Sequence, residues 1–325
     1  MKKRAILSIV ILLIANMAVA QLGEQYAGLI DTAWKYYENK EYLKSAQTYS
    51  KAFASAGDLG EITDRYNAAC SWARANNADS AFVQLFRIAR SGYYTNYRHM
   101  STDSDLLTLH DDRRWAEVTA LVKINQEKKE ANYDKPLVAM LDTIFQIDQI
   151  YRKQIGDIQK KYGNDSKEMQ AHWKKIMTAD SINLIKIKKI LDERGWLGDS
   201  VIGNQGNQTL FLVIQHADQK TREQYLPMMR EAVRIGNAEA SALALLEDRV
   251  ALGQGKRQIY GSQIGYDNSG AYVLPLDDPD HVDERRQAVG LGKLQEYVSG
   301  WGITWNVEEY KKKLPELEKK NIQIN

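Results

Sequence analysis

Leu137-Val138-Ala139-Met140-Leu141-Asp142-Thr143-Ile144-Phe145-Gln146-Ile147-Asp148-Gln149-Ile150-Tyr151-Arg152 is the stretch that decides the fold. Leu137, Met140, Leu141, Ile144, Ile147, Ile150, Tyr151 and Ile155 recur at helical spacing, so a continuous apolar stripe is expected as far as Tyr162. Comparable patterns run in both directions, and the 325 residues contain only five prolines. Together these features predict a mainly α-helical chain. Its length suggests two domains. The lysine-rich run Lys123 to Lys129, followed by Tyr133-Asp134-Lys135-Pro136, marks the boundary between them. The expected division is residues 1–20, 21–128 and 129–325.

Residues 1–20 have the layout of a signal peptide. Lys2, Lys3 and Arg4 precede an apolar run to Ile14, and Ala18-Val19-Ala20 provides small residues for cleavage before Gln21. The apolar run is about ten residues, half of the roughly 20 that a spanning helix needs. No cysteine follows that would carry a lipid, so export to a periplasm or beyond is expected, with no stable membrane anchor after cleavage. Removing those three positive charges from a chain of net charge +2 leaves −1. Such a near-neutral protein lacks the electrostatic footprint of a nucleic-acid binder. The single Cys70 cannot form an internal disulfide, and its apolar neighbours Ala68, Ala69 and Ala73 mark it as a packing residue.

In the first half, Trp34, Tyr37 and Tyr42 fall on one side of a helix–turn–helix between Ala27 and Phe53, with Ser45, Tyr49 and Ala52 following at helical spacing. Small residues at such a crossing allow close approach of two helices, and aromatics fill the groove. A second unit from Tyr66 to Ala89 carries Ala78, Ala81, Leu85 and Ile88. This pattern resembles a short tetratricopeptide-repeat group, and the segment from Gly92 to Trp115 resembles the one that terminates such groups. The resemblance covers Ala27 to Val122. It implies stacked helical hairpins, a peptide or protein partner in their groove, and a solvated cap at Asp111 to Arg114. Two repeats could equally serve only to support the second domain.

The second half concentrates polar residues beside apolar ones. Asp148 and Arg152 have the spacing of an intrahelical ion pair, worth only about 0.3–0.5 kcal/mol if exposed. A pocket role is the alternative, because Asp148-Gln149 is set between Ile147 and Ile150. A helix from Glu168 to Arg194 should stop at Gly195. The apolar run Thr209 to Ile214 reads as a core helix ending in Gln215-His216-Ala217-Asp218. His216 is the best candidate acid/base, since histidine titrates near neutrality, although a lone histidine at the end of an apolar helix is more often a hydrogen-bonded structural residue. Pro227 suits the first turn of a helix from Glu223 to Ile235. Arg249, among Leu245, Leu246 and Val250, needs either an internal carboxylate (Asp248 or Asp148) or an anionic ligand.

Residues 256–275 read as a β-hairpin, with strands Arg257–Ile264 and Ala271–Pro275 around a turn from Gly265 to Gly270. Gln258, Tyr260 and Ser262 would share one strand face, and Gly261 would mark close approach of a backbone or ligand. Asp278 and Pro279 read as N-cap and first residue of a helix that carries Arg285 and Arg286.

Asp148-Gln149 with Arg152, Gly195-Trp196, Gln215 to Asp218, Asp248-Arg249, Gln258, Tyr260 to Gln263, and Arg285-Arg286 together resemble a bacterial domain family of unknown function. The resemblance spans Leu137 to Tyr297, with serine at 262 where threonine is more usual. It implies one shared fold and one shared site, and brings no activity, ligand or cofactor. Three functions remain open. The first is a pocket binding a small polar or anionic ligand through Asp148, Arg152, Gln215, Arg249, Gln258, Tyr260, Gln263, Arg285 and Arg286. The second is an envelope hydrolase or transferase using His216 as acid/base with Asp248 or Asp148 as its orienting carboxylate. The third is a structural adaptor. No cofactor motif is present, and His216, Asp218 and His281 match no standard metal-ligand spacing, so no metal is assigned.

Overall fold

The computed structural model describes residues 23–267 and 270–324. The leader assigned to residues 1–20 lies outside them. The chain divides into two compact units, Met1–Ala131 and Asn132–Asn325. Both are helical, and the one sheet among the described residues is a two-stranded antiparallel pair in the second unit. No helix among the described residues is long and apolar enough to cross a membrane.

The first unit contains α1 (residues 23–38), α2 (Tyr42–Ser55), α3 (Ile62–Arg74), α4 (Ala78–Arg90), α5 (Tyr97–Thr102), a 3-10 turn (Ser104–Leu109) and α6 (Arg113–Lys129). The turns after α1 and α3 are copies of each other 36 positions apart. In the first, the N–H groups of Asn39, Lys40 and Glu41 donate to the carbonyls of Lys35, Tyr37 and Tyr36. In the second, those of Ala75, Asn76 and Asn77 donate to Ser71, Ala73 and Trp72. Lys40 and Asn76 both take the left-handed conformation, φ 62° and 57°. Small residues bring the helices together, and the Ser45 and Ser71 hydroxyls share a buried hydrogen bond of 2.9 Å. Tyr49, Ala52, Ala81, Leu85 and Ile88 are buried, as is Cys70, whose thiol burial pushes far up and so keeps protonated. Asp112 caps α6 at the Arg114 N–H and also holds the Arg114 guanidinium, so the charged 111–114 run starts a helix as well as meeting solvent.

In the second unit, α7 (Lys135–Arg152) is capped by Asp134 and α9 (Lys167–Arg194) by Ser166. The expected continuous stripe to Tyr162 is interrupted. The helix ends at Arg152, and a separate α8 (Ile155–Tyr162) buries no residue. Arg152 is turned inward to two aspartates there, while Leu137, Leu141 and Ile144 enter the core and Met140 and Ile150 face out. α10 (Asp199–His216) includes the Gly/Asn/Gln segment and bends at Gly203, φ 69°, where a side chain would meet the Tyr133 ring at 3.2 Å. α11 (Gln219–Arg234) begins earlier than expected because Asp218 accepts from the Thr221 N–H at 2.8 Å. Pro227 is therefore inside the helix, not in its first turn. α12 (Ala240–Gly253) completes a core in which Leu141, Ile144, Ile187, Leu191, Leu210, Ile214, Met229 and Leu246 pack together.

The hairpin is shorter than expected. Its strands are β1 (Ile264–Asp267) and β2 (Gly270–Val273), with Ile264 opposite Val273, so Gly265 and Tyr266 belong to a strand. Residues 257–263 form no strand, since Gly261 turns the chain at φ 70° and Gln258 makes only an isolated bridge to Leu276. Asp278 adopts a left-handed conformation and makes no side-chain cap, and Pro279–His281 forms a 3-10 turn leading into α13 (Val282–Ala288). α14 (Leu294–Ser299) and α15 (Val307–Ile324) close a small second core with Val273, Leu276, Val298 and Tyr310.

Candidate functional site

The C-terminal half of α10, the last turns of α12 and the segment from Ser262 into β1 line an open cavity of about 330 Å³. α10 contributes Phe211, Leu212, Gln215 and His216; α12 contributes Leu245 and Arg249; Ser262 and Gln263 close one side. Tyr297 and Trp301, 4.8 Å apart between ring centres, form an aromatic wall. The apolar run Thr209–Ile214 buries itself in the core and thereby carries the polar residues at its end to the cavity rim.

His216 Nδ1 lies 3.1 Å from Asp148 Oδ1. Asp148 is 1 % exposed. Gln149 donates to its Oδ2 at 2.7 Å, and Arg152 stands 3.2 Å from its Oδ1. Arg152 also grips both oxygens of Asp180 at 2.7 and 2.9 Å. Burial pushes the Asp148 carboxyl up, but His216 and Arg152 together outweigh it and hold the group below the usual carboxylate range. The imidazole is thus anchored through one nitrogen, leaving Nε2 for the cavity. Of the two carboxylates expected to orient it, Asp248 plays no part in this. The correct partner is Asp148, one helix layer away on α7. Asp148, Asp180 and His216 bring ligand atoms within 4.8 Å of one another, but the Arg152 guanidinium already pairs with both carboxylates. Asp218 caps α11 and His281 pairs with Asp278, so neither joins His216.

Arg249 is the cation of the cavity. Its Nε donates to Gln263 Oε1 and its Nη1 to the Gln215 carbonyl, both at 2.9 Å. Among the described residues it pairs with no carboxylate, including Asp248 and Asp148. Burial, then the nearby Arg222 and Arg152, bring its pKa down to about 10. Gln215, 5 % exposed, donates to the Leu245 carbonyl, and its buried Oε1 has no partner. A carbonyl only accepts, so the amide nitrogen must face Leu245 and Oε1 must face away.

The remaining expected ligand contacts are corrected by their hydrogen bonds. Asp248, fully buried, accepts from the backbone N–H groups of Ile259, Tyr260 and Ser262 at 2.6, 2.9 and 2.9 Å. Gln258 donates to the carbonyls of Gln263 and Leu274 and accepts from the Gln263 N–H. Arg285 donates to the carbonyls of Ile259, Asp277 and Asp278, and Arg286 to those of Tyr260 and Gly292. These residues shape the 257–263 loop by satisfying its backbone, and their polar groups are occupied. Tyr260 lies on that loop but does not line the cavity. Sequence reasoning missed Asp180 and Tyr297 as site residues. Helical spacing places Asp180 beside Asn183, but only folding brings it to Arg152.

A model for the Family of unknown function (DUF6624) matches residues 120–305, more than half of the chain. The chain belongs to that family. The DUF6624 match begins within α6, takes in every residue of the cavity and the Asp148–Arg152–Asp180 group, and ends after Trp301. No curated protein and no solved structure matches the chain.

Proposed function

We propose that this DUF6624 chain is an exported binding protein whose second unit holds a small anionic ligand in the Arg249 cavity. The observation that carries the reading is a half-buried guanidinium without a carboxylate partner, next to an unpartnered buried acceptor, Gln215 Oε1. Leaving such a charge unpaired costs several kcal/mol, which an anionic ligand would offset. Gln263 and the Gln215 carbonyl preset the direction of the guanidinium, so less side-chain freedom is lost on binding. Tyr297 and Trp301 supply flat apolar surface beside the charge. A ligand that binds only the folded state raises the melting temperature by mass action. Millimolar N-acetylalanine or phosphate should therefore raise the melting temperature of the full chain, and Arg249→Gln should remove the shift. No shift with either anion would refute the proposal.

A second reading rests on the Asp148–His216 pair. With Nδ1 fixed by a carboxylate, Nε2 is arranged to accept a proton from water or a ligand hydroxyl, as in a hydrolase. His216→Gln would then abolish turnover while leaving anion binding intact. For the first unit, we propose a tetratricopeptide-like role in holding a peptide or protein partner. The copied turns support it, since their 36-residue period is near the 34 of that repeat. Export rests on the composition of residues 1–20.

A further inference from the structure

A second cavity of about 500 Å³ adjoins the first, and Phe211 and Leu245 line both. The two lie along one groove between α10 and α12, which run side by side in the same direction. The Asn207 side chain donates to the Asn237 carbonyl ahead of α12, the Gln215 side chain donates to the Leu245 carbonyl, and Arg249 donates to the Gln215 carbonyl. From Asn204 to His216 the helix rise of 1.5 Å per residue gives a groove of roughly 18 Å. An extended chain at about 3.3 Å per residue would fill it with roughly five residues.

The groove has opposite ends. At one stands Arg249. At the other, Asp199 and Glu239 line the second cavity, and neither carboxylate pairs with a cation among the described residues. Between them, the exposed amides of Asn204 and Gln208 offer both donors and acceptors beside apolar Phe211. The orphaned Gln215 Oε1 at the cationic end needs an N–H or O–H donor.

We infer that the groove binds a short, extended peptide of about five residues, with its C-terminal carboxylate on Arg249 and its N-terminal amine between Asp199 and Glu239. The last peptide N–H, on the same residue as the carboxylate, donates to Gln215 Oε1, which accounts for an acceptor placed beside a cation. Main-chain amides in the middle match Asn204 and Gln208. The assignment rests on the anion-binding reading of the Arg249 cavity and adds the ligand class and its direction.

Calorimetric titration of the full chain tests it with four probes: penta-alanine with free ends, its C-terminal amide, its N-acetyl form, and N-acetylalanine. Penta-alanine should bind at least tenfold tighter than N-acetylalanine. Amidation should cost at least tenfold. N-acetylation should cost several-fold in the native chain and nothing in the double variant Asp199→Asn/Glu239→Gln, whose substitutions are exposed and leave the fold intact. If N-acetylalanine binds in an Arg249-dependent way and penta-alanine binds no tighter, the peptide assignment fails and the anion pocket stands. Failure of all four probes would overturn both. Equal affinity for penta-alanine and its amide would overturn the direction and with it the assignment.

Discussion

Asp248→Asn should destabilise the second unit by about 2–4 kcal/mol. The carboxylate accepts three backbone N–H groups, two on Oδ1 and one on Oδ2. Asparagine can keep the Oδ1 pair, but as neutral bonds, each weaker by roughly 1 kcal/mol than bonds to a charged acceptor. Its amide nitrogen then faces the Ser262 N–H, donor against donor, and leaves that buried group unsatisfied at a cost of about 1–3 kcal/mol. Rotating the amide is worse, because two N–H groups would face the nitrogen. Part of the loss is recovered, since burial pushes the Asp248 carboxyl up and a neutral side chain is easier to bury. At about 2–4 °C per kcal/mol for a unit of this size, the melting temperature should fall by roughly 5–15 °C. Circular dichroism melts of the full chain would show it, with Asp278→Asn as the exposed comparison. The chain has two units, so separate transitions are expected and only one should move. A shift of about 2 °C or less in every transition would refute the view that Asp248 organises the 257–263 loop.

Other outcomes follow from the same contacts. Gly261→Ala should cost about 1–3 kcal/mol in urea unfolding, because φ 70° strains an L-residue and its Cβ would meet Leu294 Cδ1 at 3.0 Å. Asp148→Asn should cost about 3–5 kcal/mol by leaving Arg152 and His216 short of their buried partner. The native Asp148 carboxyl is depressed, so its contribution is full above the usual carboxylate range and lost as pH falls through its folded value; the gap between the melting temperatures of the native chain and the Asp148→Asn variant should close on acidification. Anion affinity, read by calorimetry, should hold at neutral pH and fall as pH rises through about 10, where Arg249 loses its proton. Affinity at neutral pH unchanged by Arg249→Gln would remove Arg249 from the site.

Much of the helical frame was legible because periodicity and caps are local. The stripe through Leu141 and Ile144, the stop at Gly195 and the helix ending at His216 all follow from short-range pattern. The break after Arg152 was not legible, because the Tyr151 carbonyl that would continue the helix is taken by the His172 ring, 21 positions away. The 257–263 segment alternates like a strand, yet a buried carboxylate on α12 gathers its N–H groups and bends it into a loop. The same limit applied to the site. Sequence placed His216, Gln215, Arg249 and Gln263 on neighbouring runs, and all four line one cavity. It could not choose between Asp148 and Asp248, since both are aspartates set among apolar residues. Nor could it tell that Arg285 and Arg286 serve backbone carbonyls, while Arg249 has none of the carboxylates it would need to be neutral.

The central claim is that Arg249 awaits an anion. The most direct measurement is anomalous diffraction from crystals of the full chain soaked in iodide. The account predicts an iodide peak within about 4 Å of the Arg249 guanidinium, inside the cavity walled by Tyr297 and Trp301, and its loss in Arg249→Gln. Iodide bound elsewhere on the protein with that cavity empty would contradict it.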